Sequence, residues 1–195
     1  MTWDDLAAFD GALEMSIHYL KGPQESFLPG RVQVGWNDGF LYVLATLTDK
    51  EVYTDATADS DHMWALGDVF EIFMRDQATE EYFELHTAPS GHRLQLAFAN
   101  PEVILNLRDE KGALEDQMLH GDMLISKTRT TADGWQALCR VAWPITPMAG
   151  RTALLSLSRY DYTRGEEEPV LSSTSQHVVV NYHRQEEWTP IVFAA

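Results

Sequence analysis

Residues 64–98, WALGDVFEIFMRDQATEEYFELHTAPSGHRLQLAF, constrain the fold more than any other stretch. They hold three runs with the period-two alternation of β-strands, separated by two turns. Pro89-Ser90-Gly91-His92 reads as a two-residue hairpin turn, with Gly91 supplying a positive φ. Placing Ser90-Gly91 at the tip sets Leu85 opposite Leu96, His86 opposite Gln95 and Phe83 opposite Phe98. That register predicts Phe83, Leu85, Leu94, Leu96 and Phe98 facing the core, with Tyr82, Glu84, His86, Arg93 and Gln95 on the other face.

The preceding run, Asp68 to Arg75, alternates as well, with Phe70, Ile72 and Met74 on one side and Val69, Glu71 and Phe73 on the other. Pairing it with the next run sets Glu71 opposite either Glu84 or His86. Like charges directly opposite each other repel, so the second register, with Met74 opposite Phe83, is expected. A face bearing Glu71, Glu84, His86, Arg93 and Gln95 emerges, with Trp64 just ahead of it. Two readings stand at this point, a solvated sheet face and a ligand-binding face.

The same alternation recurs along the chain. RVQVGW and FLYVLATLTD flank Asn37-Asp38-Gly39, which predicts strands at about 31 to 36 and 40 to 48. DMLISKTRTT and GWQALCRVAW flank Ala132-Asp133-Gly134 and predict another hairpin, stopped by Pro144 and Pro147. RTALLSLSRYD is a further strand, and His177 to Tyr182 and Pro190 to Phe193 are the last strand-like pieces. Val103, Ile104 and Leu107 at helical spacing predict one short helix. Before Arg31 the helical spacing of Trp3, Leu6, Phe9 and Leu13 is interrupted by glycines and prolines, which suits a short turn or an edge element. About nine short strands and little helix predict an all-β fold, an antiparallel β-sandwich of immunoglobulin-like or jelly-roll type. At 195 residues, a single domain over 1–195 is expected.

Charge and cysteine usage narrow the partners. Thirty acidic against 14 basic residues give a net charge of -16, which disfavours nucleic acid and anionic membrane. No apolar run reaches the roughly 18 residues of a membrane span. The acidic start is unlike a secretion signal, so the chain is expected to be cytoplasmic as written, or extracellular or periplasmic if a leader was trimmed. The lone Cys139, in a strand-like run, is expected to be a buried inert thiol.

Catalytic motifs are absent: the chain has no GxSxG, HExxH or glycine-rich phosphate loop. His86 and His183 are the histidines of interest, while His62, His92 and His120 fall in loops or at turns. Glu71 and Glu84 form a possible glycosidase pair, and equally a set of acceptors for sugar hydroxyls. Trp64 beside that face favours binding, because a sugar's C–H face packs on an aromatic ring while carboxylates, Arg and amides take its hydroxyls. Trp36, Trp135 and Trp143 lie in strands and are expected in the core. The loop from 49 to 66 clusters carboxylates, and Asp55, Asp59 and Asp61 are the candidates for a calcium site.

These residues resemble a family. WNDGFLYVLATLTDKEV, W-x-x-x-D-x-F-E-I-F from Trp64 and YFELHTAPSG look like carbohydrate-binding module family 9 and the related DOMON-like domains. LSLSRYD around Arg159, LSS at Leu171 to Ser173 and NYHRQEEW near the end are similar to its C-terminal pattern. The resemblance spans about residues 31 to 193. It implies a β-sandwich that binds the ends of sugar chains, often carries calcium and often accompanies xylanases or similar hydrolases. Two aromatic rings clamp the sugar in that family, and Glu, Arg and Asn bond its hydroxyls. Trp64 matches the first ring, Glu71 the acidic residue and Arg93 the arginine beyond the hairpin. The second ring falls on Tyr182 or Trp188, with Asn181 beside the first of these. The expected function is therefore a non-catalytic carbohydrate-binding domain. Its alternatives are a small hydrolase using Glu71 and Glu84, or a protein-contact domain with a degenerate pocket.

Overall fold

The computed structural model describes residues 13–15, 26–37, 39–142 and 149–193. In chain order the strands are β1 (Leu13–Met15), β2 (Gly30–Asn37), β3 (Phe40–Thr48), β4 (Val69–Asp76), β5 (Tyr82–Thr87) and β6 (Arg93–Phe98). After helix α1 (Pro101–Arg108) come β7 (Leu124–Thr131), β8 (Gly134–Ala142), β9 (Thr152–Asp161), β10 (Val170–Ser173) and β11 (Thr189–Val192). The helix starts where Asn100 accepts the Glu102 N–H at 3.0 Å and Pro101 occupies the first turn. Residues 177–182, expected as a strand, form bends instead. Of the residues at helical spacing near the start, Leu13 lies in β1, paired with Val32, while Trp3, Leu6 and Phe9, the turn residue Asp38, and Trp143, Pro144 and Pro147 lie outside the described residues.

Two antiparallel sheets result. One runs β1-β2-β3-β8-β7, and the other β10-β9-β4-β5-β6, with β11 pairing the first half of β9 on the same edge as β10. Between them lies the main core, where Leu41, Val43, Ala45, Trp135, Ala137 and Cys139 meet Phe70, Ile72, Met74, Leu85, Leu155 and Leu157. Cys139 is fully buried, and burial pushes its thiol up to about 12, so it is an inert core residue. Trp135 is buried in this core as expected, while Trp36 sits at its edge, meeting Phe193 edge-on at 5.5 Å.

The sheets treat their outer faces differently. Outward positions of β3 and β8, such as Thr46, Gln136 and Arg140, reach solvent. Every residue of β5 and all but one of β4 is buried, so the second sheet is covered on both faces. Its outer cover comes from α1, the loop from 54 to 66 and the segment from 177 to 188. Together with Val69, Phe73, Tyr82, Leu94, Leu96 and Phe98 they form a second apolar cluster. No helix among the described residues is long and apolar enough to cross a membrane.

The hairpin register differs from expectation by one residue. Glu71 does pair with His86 and Met74 with Phe83. Leu85, however, pairs with Gln95, Glu84 with Leu96 and His86 with Leu94. The turn is the cause. The Ala88 N–H donates to His92 O at 3.0 Å and the Gly91 N–H to Ala88 O at 2.9 Å, so the loop is Pro89-Ser90-Gly91, with Gly91 at φ 87°. A three-residue loop with glycine in the left-handed region replaces the two-residue turn. Leu94, Leu96 and Phe98 thus join Glu84 and His86 on the outer face, and Arg93 and Gln95 turn the other way.

Candidate functional site

The outer face of the second sheet holds a cavity of about 300 Å³. Strands set its floor: β4 presents Glu71 and Phe73, β5 presents Glu84, and β9 presents Tyr160. Trp64 walls one side, and α1 contributes Ile104 and Arg108. The segment 180–183 closes over it with Asn181, Tyr182 and His183. That segment is not a strand because its groups are pinned elsewhere. Tyr182 Oη donates to the carbonyls of Arg159 and Ser172, both at 3.1 Å, and Trp188 Nε1 donates to Tyr182 O at 2.7 Å.

A buried polar chain lies beneath this cavity. His86, fully buried, places Nε2 2.7 Å from Glu84 Oε1 and 3.3 Å from Glu71 Oε1. On the other side of Glu84, Oε2 lies 3.7 Å from His183 Nε2. Tyr82 Oη and His183 Nδ1 are 3.0 Å apart. Burial pushes the Glu71 carboxyl up to about 8; Glu84 adds to that push and His86 opposes it. Burial also works against charge on Glu84 and His86, but their mutual attraction wins. His183, the His86 hydrogen bond and Arg108 hold Glu84 below the usual carboxylate range. Glu71 and Glu84 raise His86 above an ordinary histidine. Burial lowers His183, and burial again keeps the Tyr82 hydroxyl protonated. These shifts favour the uncharged forms of Glu71 and His183 and the charged forms of Glu84 and His86.

Trp64 is half-buried in a short 3-10 turn, Met63–Ala65. His62 stacks on its ring at 4.9 Å, and His86 meets it edge-on at 5.6 Å. Tyr162 Oη donates to Trp64 O at 2.5 Å. Behind that contact, Asp68 accepts the Tyr53 N–H at 2.7 Å and the Tyr162 N–H at 2.8 Å. Asp68 converges with Asp49 and Asp161, all buried. Arg159 Nη2 reaches Asp49 at 3.0 Å and Asp161 at 3.1 Å and is the cation of that group.

The other expected site residues divide. Glu71, Glu84, Asn181 and Tyr182 line the cavity with Trp64, and His86 backs it. Arg93 and Gln95 are corrected by the register. Arg93 Nη2 binds Asp59 at 2.9 Å and its Nη1 donates to Leu124 O, while Gln95 bonds Leu124 N and Gly121 O. Trp188 is also corrected: it is buried in the second apolar cluster and does not line the cavity. Asp55, Asp59 and Asp61 are not among the groups of converging ligand atoms found in the described residues. Arg93 occupies Asp59, and Asp61 accepts the Thr57 and Ala58 N–H groups. Sequence reasoning missed Arg108, which donates to Asn181 Oδ1 at 3.0 Å, and Tyr160. Tyr160 was legible in principle, since it alternates with Ser156 and Ser158 on one face of β9.

The chain matches no family model and no curated protein sequence. Solved structures do match. A Bacteroides uniformis protein, designated a candidate carbohydrate-binding protein, has TM-score 0.69 and 11% identity over 94% of this chain and 86% of its own. A carbohydrate-binding module family 9 (CBM9) domain of Caldicellulosiruptor kristjanssonii, solved with glucose, has TM-score 0.64 and 14% identity over 94% of this chain and 85% of its own. The CBM9 domain of that organism solved with cellotriose has TM-score 0.62 and 14% identity over 89% and 78%. The fold is CBM9-like. At these identities the likeness is one of fold.

Proposed function

We propose that the chain is a non-catalytic carbohydrate-binding domain whose cavity takes one or two sugar rings, such as the end of a glycan chain. The observation that carries this is the pairing of a half-buried Trp64 ring with Glu71, Glu84 and Asn181 around one concave space. Aromatic rings pack on the C–H face of a sugar, and carboxylates and amides take its hydroxyls. A cavity of about 300 Å³ sits at the small end of ligand sites, which suits a short saccharide. The CBM9 domains with the same fold were solved with glucose and with cellotriose, which supports the same ligand class here.

The carboxylate geometry speaks against the hydrolytic alternative. Glu71 and Glu84 stand side by side on the cavity floor, both against His86 Nε2. Glycoside hydrolysis needs carboxyls on either side of the scissile bond. Calorimetric titration with glucose, cellobiose, xylobiose and galactose tests the proposal. One-site binding of at least one of them, without product release, is expected. No heat with any of these sugars at millimolar concentration would overturn the reading.

A further inference from the structure

We propose that the floor of the cavity is also a site for a divalent metal ion of the zinc type, held by Glu71, Glu84 and His86. Their ligand atoms lie within 4.8 Å of one another. Zinc with bonds of about 2.0–2.1 Å in tetrahedral geometry sets neighbouring ligand atoms about 3.3 Å apart. His86 Nε2 and Glu71 Oε1 already stand at 3.3 Å. His86 Nε2 and Glu84 Oε1, at 2.7 Å, share a proton that an ion would replace. Two carboxylates and one imidazole make three protein ligands. Both carboxylates line the cavity, so the remaining position opens into it, as in zinc sites that keep one position for an outside ligand.

An independent observation points the same way. Glu84 is only 6% exposed, yet its Oε2 has no hydrogen-bond partner. His183 Nε2, at 3.7 Å, is beyond hydrogen-bond reach of it. A desolvated carboxylate oxygen without a partner is costly, and an ion that Glu84 holds through both of its oxygens satisfies it. The contrast with the Asp49, Asp68 and Asp161 group is informative. There a guanidinium fills the role of the cation, whereas Arg108, which lines the cavity, bonds Asn181, and the groups beside Glu84 are the histidines His86 and His183. A nitrogen ligand beside two carboxylates favours zinc over calcium or magnesium, which prefer all-oxygen shells. The Trp64 ring, edge-on to His86, holds the imidazole in place.

The test uses the full, untagged chain, freed of metal by chelation and kept in sugar-free buffer. It is titrated with Co2+, whose visible absorption reports low coordination numbers, and then with Zn2+. One equivalent of Co2+ should give the absorption, Zn2+ should displace it and Mg2+ should not. Glu84→Gln should weaken binding at least ~100-fold, since lost outer contacts alone cost metal sites up to about that much. No stoichiometric absorption in the unmodified chain, or an unchanged spectrum in Glu84→Gln, would overturn the proposal. Should Glu84→Gln fail to fold, Co2+ broadening of NMR signals in the unmodified chain decides. Bleaching centred on His86 and Trp64 supports the site, and bleaching centred elsewhere refutes it. The sugar titration, run in chelator, stands or falls separately.

Discussion

Removing Arg159 should destabilise the protein in a strongly pH-dependent way, and Arg159→Met is the cleanest form of that change. Methionine keeps much of the apolar stem while deleting the cation between Asp49 and Asp161, with Asp68 beside them. All four side chains are buried. Breaking a buried ion pair by removing one partner costs about 3–5 kcal/mol. The cost has a ceiling, because a stranded carboxylate can take up a proton instead. From an ordinary carboxyl near 3.9 and about 1.36 kcal/mol per unit, that escape costs about 6 kcal/mol at pH 8 and about 2 kcal/mol at pH 5.5. Asp161, pushed up to about 6 by burial, is already mostly protonated at the lower pH. The destabilisation should therefore be about 3–5 kcal/mol at pH 8 and no more than about 2 kcal/mol at pH 5.5. Arg159 leaves Nε and Nη1 without hydrogen bonds, which places the expected value toward the low end. Urea unfolding at the two pH values, with equal m-values as the check on two-state behaviour, measures it. A cost below about 1 kcal/mol at pH 8, or one that does not change with pH, would refute the reasoning.

Three further outcomes concern pH, the turn at Gly67 and calcium. The unmodified protein should melt higher at pH 5.5 than at pH 8. Asp161 and Asp68 are pushed up to about 6 and about 7, mainly by burial, so the stability they confer is complete below their unfolded values and is lost as pH rises through the folded ones. A thermal melt series showing the reverse order contradicts those shifts. Gly67→Ala should cost about 3 kcal/mol in chemical unfolding, because Gly67 has φ 133° and a Cβ there would sit 2.7 Å from Thr54 Cα and Tyr53 O. Full stability in that variant would mean that the turn ahead of Asp68 is not held as described. Calcium, expected at Asp55, Asp59 and Asp61, should by the geometry of those side chains stabilise little. A chelator that lowers the melting temperature by several degrees would restore that expectation.

Strands β2 to β9 were legible because their alternation is strong, β10 was not, and the Glu71–His86 pairing was legible because charge repulsion excluded the other register. The hairpin beyond them was not. Ser90-Gly91 and Pro89-Ser90-Gly91 are both compatible with PSG, and a difference of one residue turns every side chain of β6 over. The sequence nevertheless carried a warning, since Val69 and Phe73 flank Glu71 on the face read as polar. Large apolar residues on both sides of a strand signal a sheet covered on both faces. The cavity walls were legible only as elements: the helical spacing of α1 gave no sign of what it covers, and residues 180–183 read as part of a strand. Their positions depend on tertiary hydrogen bonds such as Tyr182 Oη to Arg159 O, which no local pattern announces.

The central claim is that the cavity beside Trp64 receives a sugar, and NMR of the tryptophan indole N–H groups during a sugar titration tests it most directly. Trp64→Ala assigns the Trp64 signal and supplies the second half of the measurement. The account predicts that a binding sugar shifts the Trp64 indole signal while that of buried Trp135 stays in place. It also predicts that Trp64→Ala weakens affinity at least tenfold, or about 1.4 kcal/mol. Being half-buried, that ring should cost the fold less than the about 3–5 kcal/mol of a core aromatic. A sugar that binds with the Trp64 signal unmoved, or with equal affinity in a folded Trp64→Ala protein, would contradict the account.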